Sequence, residues 1–534
     1  TAPTSTVNNP PTYVNTSPFA VSWSGSDTSP GSGLAGFNVQ SKAGAAGTWT
    51  DWRVGTPGTA NTTENFSGTD GTQYFFRVQA VDNAGNTQAA YGTPGSGVLV
   101  DLTLPSSSVN ALPTYTTSAG FNVTWTGSDT SGGTASGINC YDVQYSKDGG
   151  AWTAWQSCTT SVSASFTSTG NGTYAFRSRA KDNAGNWENW PGSADTQTIV
   201  DTTPPSFTSV NDGPGADIDF SASSNTIEAN WAASDSDTGI GHYEYAIGTT
   251  SGGTNVVNWT TIGTNTSLSK NGLTLTHNSV YYVTIRAYNA AGLFTDQPSD
   301  GVKIDLMPPT TSMSAPNSPY MGTTNFNVAW SGADGAGESG LTTYTIEYKT
   351  VGLSGWTAWQ TNTSSTSGTF SGINGYTYQF RTIAKDAVGN TTPYPTSPDY
   401  QVETTVDTSN LPAPANISEG SETDPDAKYT SITSSFSGHW DAVSGAASYF
   451  YAVGTTSGGT NIINWTETTS TSFTKTGLAL SDGSTYFLSV KAKNFSGVTG
   501  YTGNGDGITI DLTAPGCTVT ALATYQGTAQ FSVQ

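Results

Sequence analysis

The sequence predicts an all-β chain of tandem β-sandwich domains, on three observations: a repeat of about 100 residues, a Trp closing an alternating apolar stretch in each repeat, and a later period-two segment running from Tyr to Ala. The length of 534 residues exceeds what one hydrophobic core serves and leads to an expectation of roughly three to five domains. Charged residues make up only 10% of the chain, which disfavours long amphipathic helices and favours short strands and turns. Aromatics at 11%, including 15 Trp, supply the large apolar groups that disordered chains lack.

Asp before a Pro-containing junction marks the repeat, at Asp101 (VDLTLP), Asp201 (VDTTPP), Asp305 (IDLMPP), Asp407 (VDTSNLPAP) and Asp511 (IDLTAP). These positions divide the chain into sandwiches at 1–102, 103–202, 203–306, 307–408 and 409–512, with 513–534 as the start of a sixth, incomplete domain. Thr513-Ala514-Pro515 repeats Thr1-Ala2-Pro3, so either a longer parent chain continues the array or a neighbouring chain completes the last sandwich by strand addition. The opening TAPTSTV reads as neither a signal nor a transit peptide, and a start inside a mature protein is expected.

Within the repeats, Trp23, Trp125, Trp231, Trp330 and Trp440 end the first long strand, and Phe37, Tyr141, Tyr243, Tyr344 and Tyr449 lie on the next. The period-two strands run Tyr74 to Ala80, Tyr174 to Ala180, Tyr281 to Ala287, Tyr378 to Ala384 and Tyr486 to Ala492. Repeats one, two and four, type A, carry the Trp pairs Trp49/Trp52, Trp152/Trp155 and Trp356/Trp359 and a DxxGN turn. Repeats three and five, type B, share GTTSGGTN followed by Trp259 and Trp465.

An early-strand Trp, a third-strand aromatic and a Tyr-x-apolar-x-x-x-Ala strand resemble the fibronectin type III pattern over the whole chain. The likeness is strongest in type B, where Leu273 and Leu275 precede Tyr281, and Leu478 and Leu480 precede Tyr486. Type A looks like the bacterial Ig-like repeats of large surface adhesins. The resemblance implies Ig-like or fibronectin type III-like sandwiches forming an extended rod of about 170 Å, held straight by short Pro-containing junctions. It also implies a non-enzymatic structural component of an extracellular cell-surface fibre, stalk or surface layer, with neighbouring copies as partners. The alternatives are an adhesin binding glycans or partner surfaces, and linker modules of a secreted polysaccharide hydrolase.

Acidic residues form the main candidate site. The loop after the Trp strand holds Asp27, Asp129, Asp235 with Asp237, Asp334 and Asp441; the turn after the Tyr strand holds Asp82, Asp182, Asn289, Asp386 and Asn494. With the junction Asp, oxygen donors are expected to converge at each boundary, as Asp101, Asp129 and Asp182, as Asp201, Asp235 and Asp237, and as Asp305, Asp334 and Asp386. Hard cations take six to eight oxygens, so calcium is the candidate ligand, an arrangement that the adhesin resemblance also implies. Asp and Asn before Gly equally serve as plain turn formers.

Cys140 and Cys158 stand at equal distances from Gly149 in the turn Lys147-Asp148-Gly149-Gly150, which predicts a cross-strand disulfide on the outward face and an oxidising compartment. Cys517 has no partner in the sequence. In each Trp pair the spacing sends the two rings to opposite faces, and Trp49, Trp152 and Trp356 become candidates for stacking on sugar rings. Twelve N-x-Ser/Thr sequons fit a surface protein. The histidines, His242, His277 and His439, lie in separate regions with no HExxH, nucleophile elbow or phosphate loop. A net charge of −22 with no basic cluster argues against nucleic acid, and no apolar stretch approaches the roughly 18 residues of a membrane span.

Overall fold

Phe19, Val21 and Trp23 are buried while Ala20 and Ser24 between and beyond them are exposed, as an extended strand with one face on a core requires. The computed structural model describes residues 1–54, 59–130, 132–353, 355–420 and 426–518, and every element among them is a strand. The first sandwich contains β1 (Thr4–Val7), β2 (Tyr13–Val14), β3 (Phe19–Ser26), β4 (Leu34–Ala43), β5 (Thr50–Arg53), β6 (Thr63–Phe66), β7 (Thr72–Asp82) and β8 (Val98–Val100). One sheet has the order β1-β3-β6 and the other β2-β8-β7-β4-β5. The two-residue β2 pairs in parallel with β8, and the remaining neighbours are antiparallel.

The second and fourth sandwiches repeat both sheet orders. The fifth does so with one addition, Thr499–Asn504, paired to Thr485–Asn494. The third shows the same type B addition, Phe294–Pro298 against Val280–Asn289. The chain divides into two compact units. The first comprises Thr1–Asp219, Asn225–Leu273 and Val280–Val302; the second comprises Phe220–Ser224, Thr274–Ser279 and the chain from Lys303 onward. The first therefore holds two sandwiches and strands of the third, and the second holds the other strands of the third and two more sandwiches. The expected sixth domain lies, from residue 519 onward, outside the described residues.

Each core is centred on its Trp. Trp23, Trp125, Trp231, Trp330 and Trp440 are between 1% and 4% exposed. In type A the Trp meets the inner Trp of the pair edge to face, with centroids 6.0 Å apart for Trp23–Trp52, 5.9 Å for Trp125–Trp155 and 6.1 Å for Trp330–Trp359. In type B a Tyr takes that place, Tyr243 at 5.7 Å and Tyr449 at 5.6 Å. All five indole N–H groups are buried without a hydrogen-bond partner, so ring packing holds these residues in place.

The Tyr that opens each period-two strand has a polar role as well. The hydroxyls of Tyr74, Tyr174, Tyr378 and Tyr486 accept the backbone N–H five residues earlier, from Thr69, Thr169, Ile373 and Ser481, at 2.9–3.1 Å. This is a tyrosine corner that pins the loop crossing between the sheets. Tyr174→Phe should leave the Thr169 N–H unsatisfied and cost the second sandwich about 1–3 kcal/mol. Trp125→Ala should cost about 3–5 kcal/mol, and Trp125→Phe less, because no hydrogen bond is lost. Native-state hydrogen exchange of second-sandwich amides reads these changes within the intact chain.

Candidate functional site at the sandwich boundaries

Each boundary begins with a junction Asp that folds its own linker. The side chains of Asp101, Asp201, Asp305, Asp407 and Asp511 accept the N–H two residues on, from Thr103, Thr203, Met307, Ser409 and Thr513, at 2.9–3.3 Å. The intervening N–H is taken by a loop residue of the sandwich just completed. Leu102 donates to Asp70, Thr202 to Asn171, Leu306 to His277 Nδ1, Thr408 to Asn374 and Leu512 to Asp482, at 2.7–3.2 Å. His277 thus occupies a loop position that elsewhere holds Asp or Asn and acts as an acceptor through Nδ1; its Nε2 lies 3.1 Å from Glu338.

The following sandwich supplies the remaining partners. Ser136 N–H donates to Asp101 at 2.7 Å, the Thr238 hydroxyl to Asp201 at 2.6 Å, and Ser339 N–H to Asp305 at 2.8 Å. An Asn amide reaches back to the carbonyl two residues past each junction Asp: Asn186 to Thr103, Asn289 to Thr203, Asn390 to Met307 and Asn494 to Ser409, at 3.1–3.3 Å. Asp101, Asp201 and Asp305 are at most 1% exposed, so these bonds satisfy groups that water does not reach.

Types A and B differ in what faces the junction carboxylate. In type A, Asp182 and Asp386 hold their turns, accepting N–H groups from Gly185 and Asn186 and from Gly389 and Asn390 at 2.6–2.8 Å. Their carboxylates complete two clusters, Asp101–Asp129–Asp182 and Asp305–Asp334–Asp386, with oxygens within 4.8 Å of one another. Oδ1 of both Asp129 and Asp334 is buried without a partner. Burial raises the Asp129 carboxyl above its usual range, and repulsion from Asp101 and Asp182 adds to it. Burial likewise raises Asp334, with Glu338 and Asp305 contributing.

In type B the expected cluster of Asp201, Asp235 and Asp237 gives way to a different arrangement. The Asn289 amide donates to Asp201 at 2.9 Å and to Asp235 at 3.3 Å, bridging two carboxylates that a cation would otherwise have to join. Asp235 also accepts the N–H groups of Asp237, Thr238 and Gly239. Burial acts to raise Asp235, but these bonds outweigh it and its carboxyl sits below the usual range. Asp237 accepts from Asn171 at 2.7 Å instead of facing the other two. In the fifth sandwich Asn494 donates to Asp407 at 3.0 Å, and Asp441 pairs with Asn416.

Cys140 and Cys158 are joined, with Cα atoms 4.8 Å apart. The expected register holds near the turn, where Gln144 pairs with Ala154 and Tyr145 with Thr153, but two irregularities shift it so that Tyr141 pairs with Thr159. As a result Cys158 is exposed while Cys140 is only 1% exposed, which departs from the expected outward placement of both. Cys517 is free and exposed.

Trp49, Trp152 and Trp356 lie outside the core, each with an Arg over its ring: Arg77 at 4.5 Å, Arg177 at 4.2 Å and Arg381 at 4.1 Å. A second aromatic, Tyr91, Trp190 or Tyr394, contacts the same guanidinium. The third sandwich repeats the stack with Arg286 between Trp259 and Phe294, and the fifth places Lys491 over Trp465 at 4.3 Å. These rings are members of cation–π stacks.

The chain is thus a tandem array of fibronectin type III-like and Ig-like β-sandwich repeats. The sequence matches no family model and no curated protein. Among solved structures, it is similar to the chicken CNTN1 FN1-FN3 domains at 14% identity, covering 57% of this chain and 97% of that one, with a TM-score of 0.25. A 1.5-MDa bacterial ice-binding adhesin aligns at 16% identity over 58% of this chain and 99% of that one, TM-score 0.29. Titin domains A168-A170 align at 14% over 57% and 99%, TM-score 0.26.

Asn289→Asp should convert the second-to-third boundary to the type A pattern. With chelator present it should lower the melting temperature, by removing two donors and adding a buried charge, at a cost of about 1–3 kcal/mol. Calcium should recover more of that loss in the variant than in the wild type, as read by calorimetry.

Proposed function

We propose that the chain is a non-catalytic, load-bearing element of an extracellular surface structure, in which each sandwich is fastened to its sequence neighbour through the junction Asp. The observation that carries this reading is the recurrence of one linker pattern at Asp101, Asp201, Asp305 and Asp407. Buried polar chemistry is spent four times on joining domains, whereas an enzyme concentrates it in one cleft. The Cys140–Cys158 disulfide supports an oxidising, extracellular setting.

Calcium belongs to the proposal at the two type A boundaries. Asp101, Asp129 and Asp182, and Asp305, Asp334 and Asp386, would hold it, and the orphaned Oδ1 of Asp129 and of Asp334 fit that role. A bound cation would offset the repulsion and burial that raise these two carboxyls. At type B boundaries the Asn amide already performs this neutralising task, so no cation is assigned to Asp201, Asp235 and Asp237. The adhesin alternative would use the outer Trp residues, and the Arg over each of Trp49, Trp152 and Trp356 weighs against it.

Single-molecule pulling tests the load-bearing role. The full chain should unfold in five separate events, each releasing on the order of 300 Å of contour for a repeat of roughly 100 residues. Chelator should lower the unfolding force of the type A events more than of the type B events. Unfolding in one merged event, or at forces indistinguishable from those of an unlinked sandwich mixture, would contradict the proposal.

A further inference from the structure

A second acidic group lies away from the boundary clusters, within the third sandwich. Asp212, at the end of the strand Ser206–Asp212, is fully buried, while Asp217 and Asp300 are exposed; oxygens of the three lie within 4.8 Å of one another. Asp212 Oδ2 accepts the Gly301 N–H at 2.9 Å, which a φ of +103° at that glycine makes available. Asp212 Oδ1 is buried without a hydrogen bond, and the Ser299 hydroxyl lies close enough to the carboxyl to favour its charged form. Asp217 Oδ1 accepts the backbone N–H of Asp212 at 2.8 Å, fixing its carboxylate beside the buried one. Burial pushes the Asp212 carboxyl up to about 6 against the Ser299 hydroxyl and the Gly301 N–H, and Asp217 and Asp300 add repulsion.

The fifth sandwich carries acids at the three corresponding positions and offers a comparison. The pairings Phe220 with Lys303 and Tyr429 with Thr509 align the two repeats, placing Asp217 opposite Asp426 and Asp300 opposite Asp506. Asp212 corresponds to Glu419, also buried, also with one oxygen unpartnered. There, Lys428 bonds Asp506 and lies 3.6 Å from Asp426. The residue at the position of Lys428 in the third sandwich is Asp219, so the exposed pair that a lysine joins in the fifth sandwich has another carboxylate beside it in sequence and no such cation.

We infer that Asp212, Asp217 and Asp300 bind a divalent cation of the calcium class, which would join the exposed pair, bridged by Lys428 in the fifth sandwich, to the buried Asp212. The ligand set is carboxylate oxygen with no His or Cys, which selects a hard ion. Three carboxylates supply up to six oxygens of irregular geometry, which suits calcium better than the strict octahedron of magnesium. The exposed Asp217 and Asp300 give the ion a route from solvent to the buried Asp212 oxygen. This site neither uses nor depends on the boundary clusters.

Equilibrium dialysis of the full chain against calcium, with bound metal counted per chain, tests the inference. Asp217→Asn and Asp300→Asn should each bind one ion fewer than the wild type, and Asp506→Asn should bind the same number. Asp219→Lys, which installs the fifth sandwich's solution, should also lose one ion and should melt above the wild type in chelator. Both affected acids are exposed, so the variants should fold, and exchange protection in the third sandwich verifies it. Undiminished binding in Asp217→Asn and Asp300→Asn, or a full complement of calcium in Asp219→Lys, would overturn the assignment. Because each result is a difference of one site, it stands or falls separately from calcium at the boundaries.

Discussion

A linker between two packed domains carries backbone N–H and C=O groups that burial would strand, and their satisfaction is the constraint on which this molecule rests. The junction Asp meets it by accepting the N–H two residues on and by taking a donor from the sandwich that follows, as Asp101 does with Thr103 and Ser136. A loop acceptor takes the intervening N–H, and an Asn amide serves the next carbonyl, as Asp70 and Asn186 do here. Every partner but the Asp comes from a folded sandwich, so the linker adopts this form only when the sandwiches flanking it are in place. Trp-centred cores supply that framework.

The same constraint accounts for the two repeat types. A buried junction carboxylate needs positive charge or polarised hydrogen nearby. Type B places an amide there, and Asp235 falls below the usual carboxylate range. Type A places a third carboxylate there, and Asp129 and Asp334 rise above it. The contrast recurs in miniature in the third and fifth sandwiches, where a lysine joins the exposed acid pair of the fifth and an aspartate stands at its position in the third. Charge at these places is therefore matched to local donors and is not a diffuse solubility feature.

Much of the fold was legible because it depends on side chains whose type is dictated by burial. Trp at the end of an alternating strand, Tyr with Ala three repeats of the pleat after it, and Asp before Pro all recur at fixed places for steric or backbone reasons. The convergence of Asp101, Asp129 and Asp182 could be read from repeat position alone, and the pairing of Cys140 with Cys158 from their equal distances to Gly149 in the hairpin turn. The bulges that buried Cys140 could not, because they are set by the fit of the strand to its neighbours. His277 was opaque for another reason: it shares a role with Asp70, Asn171, Asn374 and Asp482, and acceptors of such different chemistry leave no residue pattern. Asp212 and Asp300 are separated by almost a whole sandwich in sequence, and only the packing of its two sheets brings them together. The Arg stacks on Trp49, Trp152 and Trp356 likewise join residues far apart in sequence, each Trp standing just before a strand and each Arg lying on another.

The most direct test of the central claim is amide hydrogen exchange at the linkers of the intact chain. If the junction Asp ties the linker down, the N–H groups of Leu102, Thr103 and Ser136 should be protected to a degree comparable with neighbouring sheet amides, and Asp101→Ala should release them while the sheets of both flanking sandwiches stay protected. Exchange of those three amides at the rate of a free peptide in the unaltered chain would contradict it.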